Sequence, residues 1–229
     1  MLSRLQMYGR LLRTDPMGFV IYILMYALAI LTSLILHECA HGYVALKCGD
    51  PTAKYMGRLT LDPRKHLDPL GTVFMVLLGF GWAKPVPVNP RNYNHPRRDD
   101  ILVSIAGIVT NLILFVVSTF LYVFIYRKTG NGRNMSALVD YIYSFFYLLA
   151  SINVSLAVFN LLPIPPLDGY HVFNDIILRG RLQLSYQTFR IAQIVLMLLC
   201  FSGALSGVLS SVNSALTGSV QRLMLSIIH

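Results

Sequence analysis

An all-α polytopic membrane fold with a short β element is predicted by three observations. Apolar residues make up 55% of the chain against 13% charged, and the mean hydropathy is +0.59. They gather in runs long enough to cross a bilayer, which takes about 20 residues of helix. The Lys and Arg behind the net charge of +9 fall mostly between those runs, where they set topology and attract anionic lipids. This composition excludes an ordinary soluble globular protein. No basic and aromatic pattern of the RNA-binding kind is present, so no nucleic-acid partner is expected. Cys39, Cys48 and Cys200 are odd in number and lack C-x-x-C spacing, so neither a disulfide framework nor a cysteine metal site is indicated.

Residues 1–14 alternate Leu2, Leu5, Leu11 and Leu12 with Arg4, Arg10 and Arg13, a pattern suited to a short helix at the membrane interface. Asp15-Pro16 marks a helix start. Residues 17–47 then run without proline for roughly 45 Å of helix. That exceeds one bilayer core, so the first span is tilted, kinked or protrudes, and it is too long for the apolar region of a signal peptide. Gly49-Asp50-Pro51 closes it, and Arg58-Leu59-Thr60-Leu61 alternates like a short strand.

Residues 70–83 are apolar but amount to only about 14 positions interrupted by Gly71, Gly79 and Gly81, a length that suits a re-entrant or interfacial segment. In Lys84-Pro85-Val86-Pro87-Val88-Asn89-Pro90 each proline removes an amide donor and biases its predecessor away from helix, so the stretch is extended. Residues 101–126, 141–162 and 191–209 read as three further full spans, and 210–229 as mixed enough to be interfacial. No internal repeat or appended soluble domain is apparent, so residues 1–229 read as a single membrane-embedded domain.

His37-Glu38-Cys39-Ala40-His41 lies late in the first span. At 100° per residue the two histidines project about 40° apart on one helix face, the spacing two imidazoles need to hold one metal ion. A zinc ion there would acidify a bound water, and the neighbouring carboxylate could take its proton. The competing reading is a buried hydrogen-bonded cluster or a chance match. Against it, each polar group costs several kcal/mol in hydrocarbon unless it has a partner or a task, and Glu38 is the only glutamate in the chain. Cys39 points about 200° away from His37 and is read as packing.

Asn160-Leu161-Leu162-Pro163-Ile164-Pro165-Pro166-Leu167-Asp168-Gly169 ends the 141–162 span. Its three prolines remove three amides that would otherwise be unsatisfied at membrane depth, and they leave Asp168 in a constrained turn. Catalytic zinc usually takes three protein ligands and an open fourth place, which makes Asp168 a candidate for the ligand that the histidine motif lacks. On the 101–126 span, Ser104, Gly107, Asn111 and Ser118 form a small, polar stripe of the kind that packs helices closely. Asn153 and Asn160 share a face of the next. His66 and His95 read as solvated or capping histidines, and His171 as structural.

In combination these residues resemble the site-2 protease family of intramembrane zinc metalloproteases. The resemblance rests on His37 to His41, Gly57 to Pro63, His66 to Thr72, Gly81 to Pro90 and Asn160 to Gly169. It implies one Zn2+ per chain held by His37, His41 and Asp168, with Glu38 as general base, and a place in regulated intramembrane proteolysis. The lack of any PDZ-like or CBS-like segment resembles the minimal bacterial branch. Three positions depart from the family pattern: Cys39 stands where an aromatic residue is common, the Ala106 to Asn111 stretch lacks a frequent proline, and Asp62 replaces a frequent asparagine.

The expected activity is therefore hydrolysis of peptide bonds in or near the membrane-spanning segments of membrane-anchored proteins. A helical substrate must unwind before attack, and an exposed edge offered by Arg58, Leu59, Thr60 and Leu61, or by Val86 and Val88, would hold it extended by strand pairing. Asn160 and Asn111 are candidates for binding the substrate backbone or the developing oxyanion. A non-catalytic binding protein of the same fold would have no need of Glu38, and a zinc transporter would need ionisable groups along a continuous path. The expected location is the cell membrane, multi-pass. Residues 47–98 carry nine Lys or Arg against three in 127–133, which points the zinc end to the cytoplasm. No feature specifies an oligomeric state.

Overall fold

The computed structural model describes residues 2–78, 81–182 and 184–228. The chain is an all-α, multi-pass membrane protein, with three long apolar helices among the described residues, or four spans if a bent pair near the C-terminus counts as one. Helix α1 (Leu2–Thr14) leads into α2 (Pro16–Lys47), where the Asp15 carboxylate accepts from the Gly18 amide at 2.9 Å and Pro16 occupies the first turn. At 32 residues α2 is about 48 Å long. Two single turns follow, α3 (Thr52–Tyr55) and α4 (Pro63–His66), and then α5 (Pro69–Leu78). Helix α6 (Pro96–Lys128) returns across the membrane and α7 (Ala137–Asn160) crosses again. The short α8 (Asp168–Ile176), α9 (Tyr186–Ser202) and α10 (Ser206–Ile227) complete the chain.

Lipid tails are as apolar as leucine, so burial alone does not join these helices, and packing and internal hydrogen bonds must. Asn153 on α7 donates to Ser33 Oγ on α2 at 2.9 Å, both side chains being inaccessible. Phe115, Tyr122 and Val123 of α6 meet Ala150 and Val154 of α7. Tyr26, Ile30 and Leu34 of α2 enclose Met75 of α5, and Tyr8 of α1 donates its hydroxyl to Val76 O at 2.9 Å.

Helix α5 has 10 residues, about 15 Å, half of what a bilayer core requires. Gly79 and Phe80, within the expected re-entrant segment, lie outside the described residues. On either side of them the chain doubles back: a Cβ on Gly71 would meet the Trp82 carbonyl, and one on Gly81 would meet the Gly71 carbonyl.

Two expectations are corrected. No β-strand exists among the described residues, and Arg58 to Leu61 is irregular. A strand needs a ladder partner, whereas here the Arg58 amide turns back to Ala53 O at 2.9 Å and Thr60 O accepts from the His66 ring at 2.7 Å. The 191–209 span is not one straight helix either. Gly203, at φ 76°, caps α9 after Ser202, and α10 departs at 76° to it. Residues expected to be interfacial form α10, whose Val220, Met224 and Leu225 pack against the α6–α7 core.

The irregular segment from Gly81 to Asn89 is fixed from below by Asp50, which is inaccessible. Its carboxylate accepts from the Asn89 amide at 2.6 Å, the Thr52 amide at 3.1 Å, the Asn92 side chain at 2.8 Å and the Thr52 hydroxyl at 2.5 Å. Burial pushes its pKa up, but the four donors outweigh that and hold it below the usual carboxylate range. Asp50→Ala would strand those donors, each at about 1–3 kcal/mol if left unsatisfied. The expected result is a melting temperature in detergent lower by several degrees, with new protease cleavage between residues 84 and 95. An unchanged melting curve would show that the segment is held by other contacts.

Candidate metal centre

His37 and His41 lie one turn apart on α2 and are 6% and 8% exposed. Asp168 opens α8, where the helix N-terminus favours a carboxylate. The three ligand atoms form a nearly regular triangle: 3.1 Å between the two Nε2 atoms, 3.3 Å from His37 Nε2 to Asp168 Oδ2 and 3.4 Å from His41 Nε2 to the same oxygen. Tetrahedral zinc with bonds of about 2.0–2.1 Å sets its ligand atoms roughly 3.3–3.4 Å apart.

The proton positions decide what the triangle can hold. His41 Nδ1 lies 2.7 Å from the Val103 carbonyl, which only accepts, so Nδ1 carries the proton and Nε2 presents a lone pair. His37 Nδ1 lies 2.7 Å from Asn111 Oδ1, and with that oxygen accepting, His37 presents its Nε2 lone pair in the same way. Asp168 Oδ2 is buried with no hydrogen-bond donor. Three acceptors thus face one point without a proton between them, an arrangement that a cation satisfies. Among the described residues this is the only group of three or more His, Cys, Asp or Glu side chains close enough to share an ion.

Gly107 makes the approach of α6 possible. A Cβ there would strike His41 Nε2 and come within 2.5 Å of His37 Cε1. Val103, Gly107 and Asn111 recur every fourth residue on α6, so one face orients both imidazoles. Glu38, half-buried beside them, accepts from the Val86 amide through Oε2 at 2.7 Å.

A family model for "Peptidase family M50" matches residues 25–140 and 128–203. The chain belongs to this family. It is 45% identical over 166 residues to YwhC of Bacillus subtilis (strain 168), covering 72% of this chain and 73% of that one. It is 31% identical to Rip2 of Mycobacterium tuberculosis (strain H37Rv) over 162 residues, 68% of this chain and 58% of the relative. Rip2 of Mycolicibacterium smegmatis gives 31% over 164 residues, again 58% of its length. All three relatives are named as zinc metalloproteases. No solved structure matches.

The other residues singled out in the sequence are placed as follows. Asn111 orients His37, and Asn160 donates back to Leu156 O at 3.1 Å on its own helix. Arg58 and Val86 are buried, Leu59 and Thr60 half-buried, and Leu61 and Val88 exposed. His66 is buried on Thr60 O, His95 is exposed at the start of α6, and Cys39 Sγ donates to Thr60 O at 3.2 Å.

His171 Nδ1 pairs with Asp100 at 3.3 Å, and Arg97 donates twice to Asp175 O at 2.7 and 2.9 Å, which seats α8 on α6. Burial, aided by a hydrogen bond shared with Asp100, pushes the Asp175 carboxyl up to about 6, and the Asp100 contact raises His171. In the sequence Gly107 was legible only as part of a packing stripe, and Asn111 as that and as a candidate for substrate or oxyanion binding, not as a partner of His37. The Val103 carbonyl carries no sequence signal, because any residue supplies one.

Partners that orient metal-binding histidines are typically worth 10–100-fold in metal affinity, and Gly107→Ala intrudes on both rings at once. Zinc affinity should fall by at least that factor in equilibrium dialysis. Gly207→Ala, where a Cβ meets nothing within 4 Å, serves as the control and should bind zinc like the parent. Equal affinity in the two variants would separate α6 from the metal centre.

Proposed function

We propose that this member of Peptidase family M50 is a zinc-dependent endopeptidase that cuts peptide bonds in or near the membrane-spanning segments of membrane-anchored proteins. The observation that carries the proposal is the convergence of three proton-free acceptors beside the one glutamate of the chain, on helices long and apolar enough to cross a membrane. A bound Zn2+ would supply the Lewis acidity that polarises a scissile carbonyl and lowers the pKa of water. His37, His41 and Asp168 would hold it, one ion per chain.

Glu38 takes a proton from the attacking water and returns it to the leaving amine. His37 and His41 take no part in proton transfer, because their Nδ1 protons are committed to Asn111 and Val103. The irregular segment Lys84 to Asn89 lies over Glu38 through Val86 and offers a place to hold an unwound substrate.

Purified, zinc-loaded protein incubated with a panel of membrane-anchored candidates, with fragments read by mass spectrometry, tests the reading. Glu38→Gln should abolish fragments while zinc stays near one per chain, and Asp168→Ala should lose both. Cleavage by Glu38→Gln above a few per cent of the parent rate would remove the glutamate from the mechanism. Full zinc occupancy in Asp168→Ala would move the third ligand elsewhere.

The zinc end of the molecule is proposed to face the cytoplasm, on the excess of Lys and Arg in residues 47–98. Single cysteines at Lys65 and Arg97, in a background lacking Cys39, Cys48 and Cys200, should resist an impermeant thiol reagent in intact cells and react once the membrane is opened. Labelling of both in intact cells would invert the orientation, and labelling of one alone would make α5 part of a crossing.

A further inference from the structure

The peptide unit between Pro85 and Val86 joins two charges. Its N–H end donates to Glu38 Oε2 at 2.7 Å. Its carbonyl end accepts from an Arg58 guanidinium NH2 at 3.0 Å, and the same nitrogen donates to the preceding Lys84 carbonyl at 2.9 Å. Arg58 is 9% exposed, so its contacts form largely out of water. Pro85 and Pro87 have no amide hydrogen, which makes the Val86 N–H the one backbone donor between Lys84 and Val88.

We propose that Arg58 is a positioning residue for Glu38, acting through the Pro85–Val86 peptide and touching neither metal ligand nor substrate. A cation on the carbonyl oxygen and a carboxylate on the N–H polarise one peptide in the same sense, so each hydrogen bond strengthens the other. The guanidinium also sets where the donor stands, since it grips the two carbonyls that flank Pro85. Lysine has donors enough for both carbonyls but carries them on a flexible stem with no planar group to fix their direction, so it would keep the charge and only part of the positioning. With Oε2 fixed by Val86, the other carboxylate oxygen is left to handle the water. The proposal rests on the peptidase reading for its kinetic consequence and on geometry alone for its structural one.

Glu38 being the only glutamate permits a direct test. Full-length protein made by cell-free synthesis with glutamate labelled with 13C at the side-chain carboxyl gives a single glutamate carboxylate resonance, that of Glu38. Arg58→Ala should move it in the same direction as Val86→Pro, which deletes the N–H. Arg58→Lys should fall between Arg58→Ala and the parent, and Arg64→Ala, at an exposed side chain, should leave it in place. An Arg58→Ala resonance indistinguishable from the parent's overturns the proposal.

On a membrane-anchored substrate from the panel, Arg58→Ala should lower kcat on the order of 10–100-fold, the scale of a small misplacement of a catalytic group. KM should stay within about threefold, zinc should stay near one per chain, and Arg58→Lys should restore part of kcat. Zinc loss in step with activity would make Arg58 a general structural residue and overturn the assignment. Should no panel member be cut by the parent, the peptidase reading is what fails, and the resonance still decides whether Arg58 governs Glu38.

Discussion

Everything near the centre of this molecule follows from one electrostatic constraint: three lone-pair donors buried at one point cannot be left facing each other. Two imidazoles and a carboxylate 3.1–3.4 Å apart repel unless a proton or a cation lies between them. The protons are held on the far sides of the rings by Asn111 and Val103. The arrangement is therefore built to be completed by an ion, and its burial makes the need more severe, since an unpaired charge costs most where water is scarce.

That constraint reaches outward into topology. His37 and His41 stand late in α2, and Asp168 follows the end of α7, so α2 and α7 must run in the same direction for the ligands to meet. One complete crossing must separate them, and α6 is that crossing. With α6 as that crossing there is no place for α5 as another, and its 10 residues are about half the length a bilayer core takes. Because α6 passes directly against the imidazoles, it supplies their orienting groups from one face, and the position nearest the rings has room for nothing larger than glycine.

What could be read in the sequence follows the same division. The long spans were legible because apolar runs of bilayer length have few other uses, and the metal cluster because the histidine pair and the Pro-rich aspartate turn are both costly in a membrane. The expected strand failed because alternation in Arg58 to Leu61 describes which side chains are apolar and says nothing about a ladder partner; those backbone groups are taken by Ala53 and His66. The bend in the fourth apolar run was not legible, because hydropathy reads as continuous a run that a left-handed turn at Gly203 redirects. Contacts made by backbone atoms, such as Val103 O on His41 and Val86 N–H on Glu38, leave no trace in residue identity.

The irregular segment beside Glu38 follows from that last point. Non-helical backbone at membrane depth is tolerated only where its polar groups find partners inside the protein. Between Lys84 and Asn89 two prolines delete amides, the amides of Lys84, Val86 and Asn89 go to the His66 carbonyl, Glu38 and Asp50, and Val88 is exposed. A helix in the same place would have satisfied its donors internally and left none for Glu38. The departure from helix is thus what allows a backbone N–H to reach the glutamate. The polar clusters around Asp50 and Arg58 hold the segment in that conformation without drawing on the metal-binding side chains.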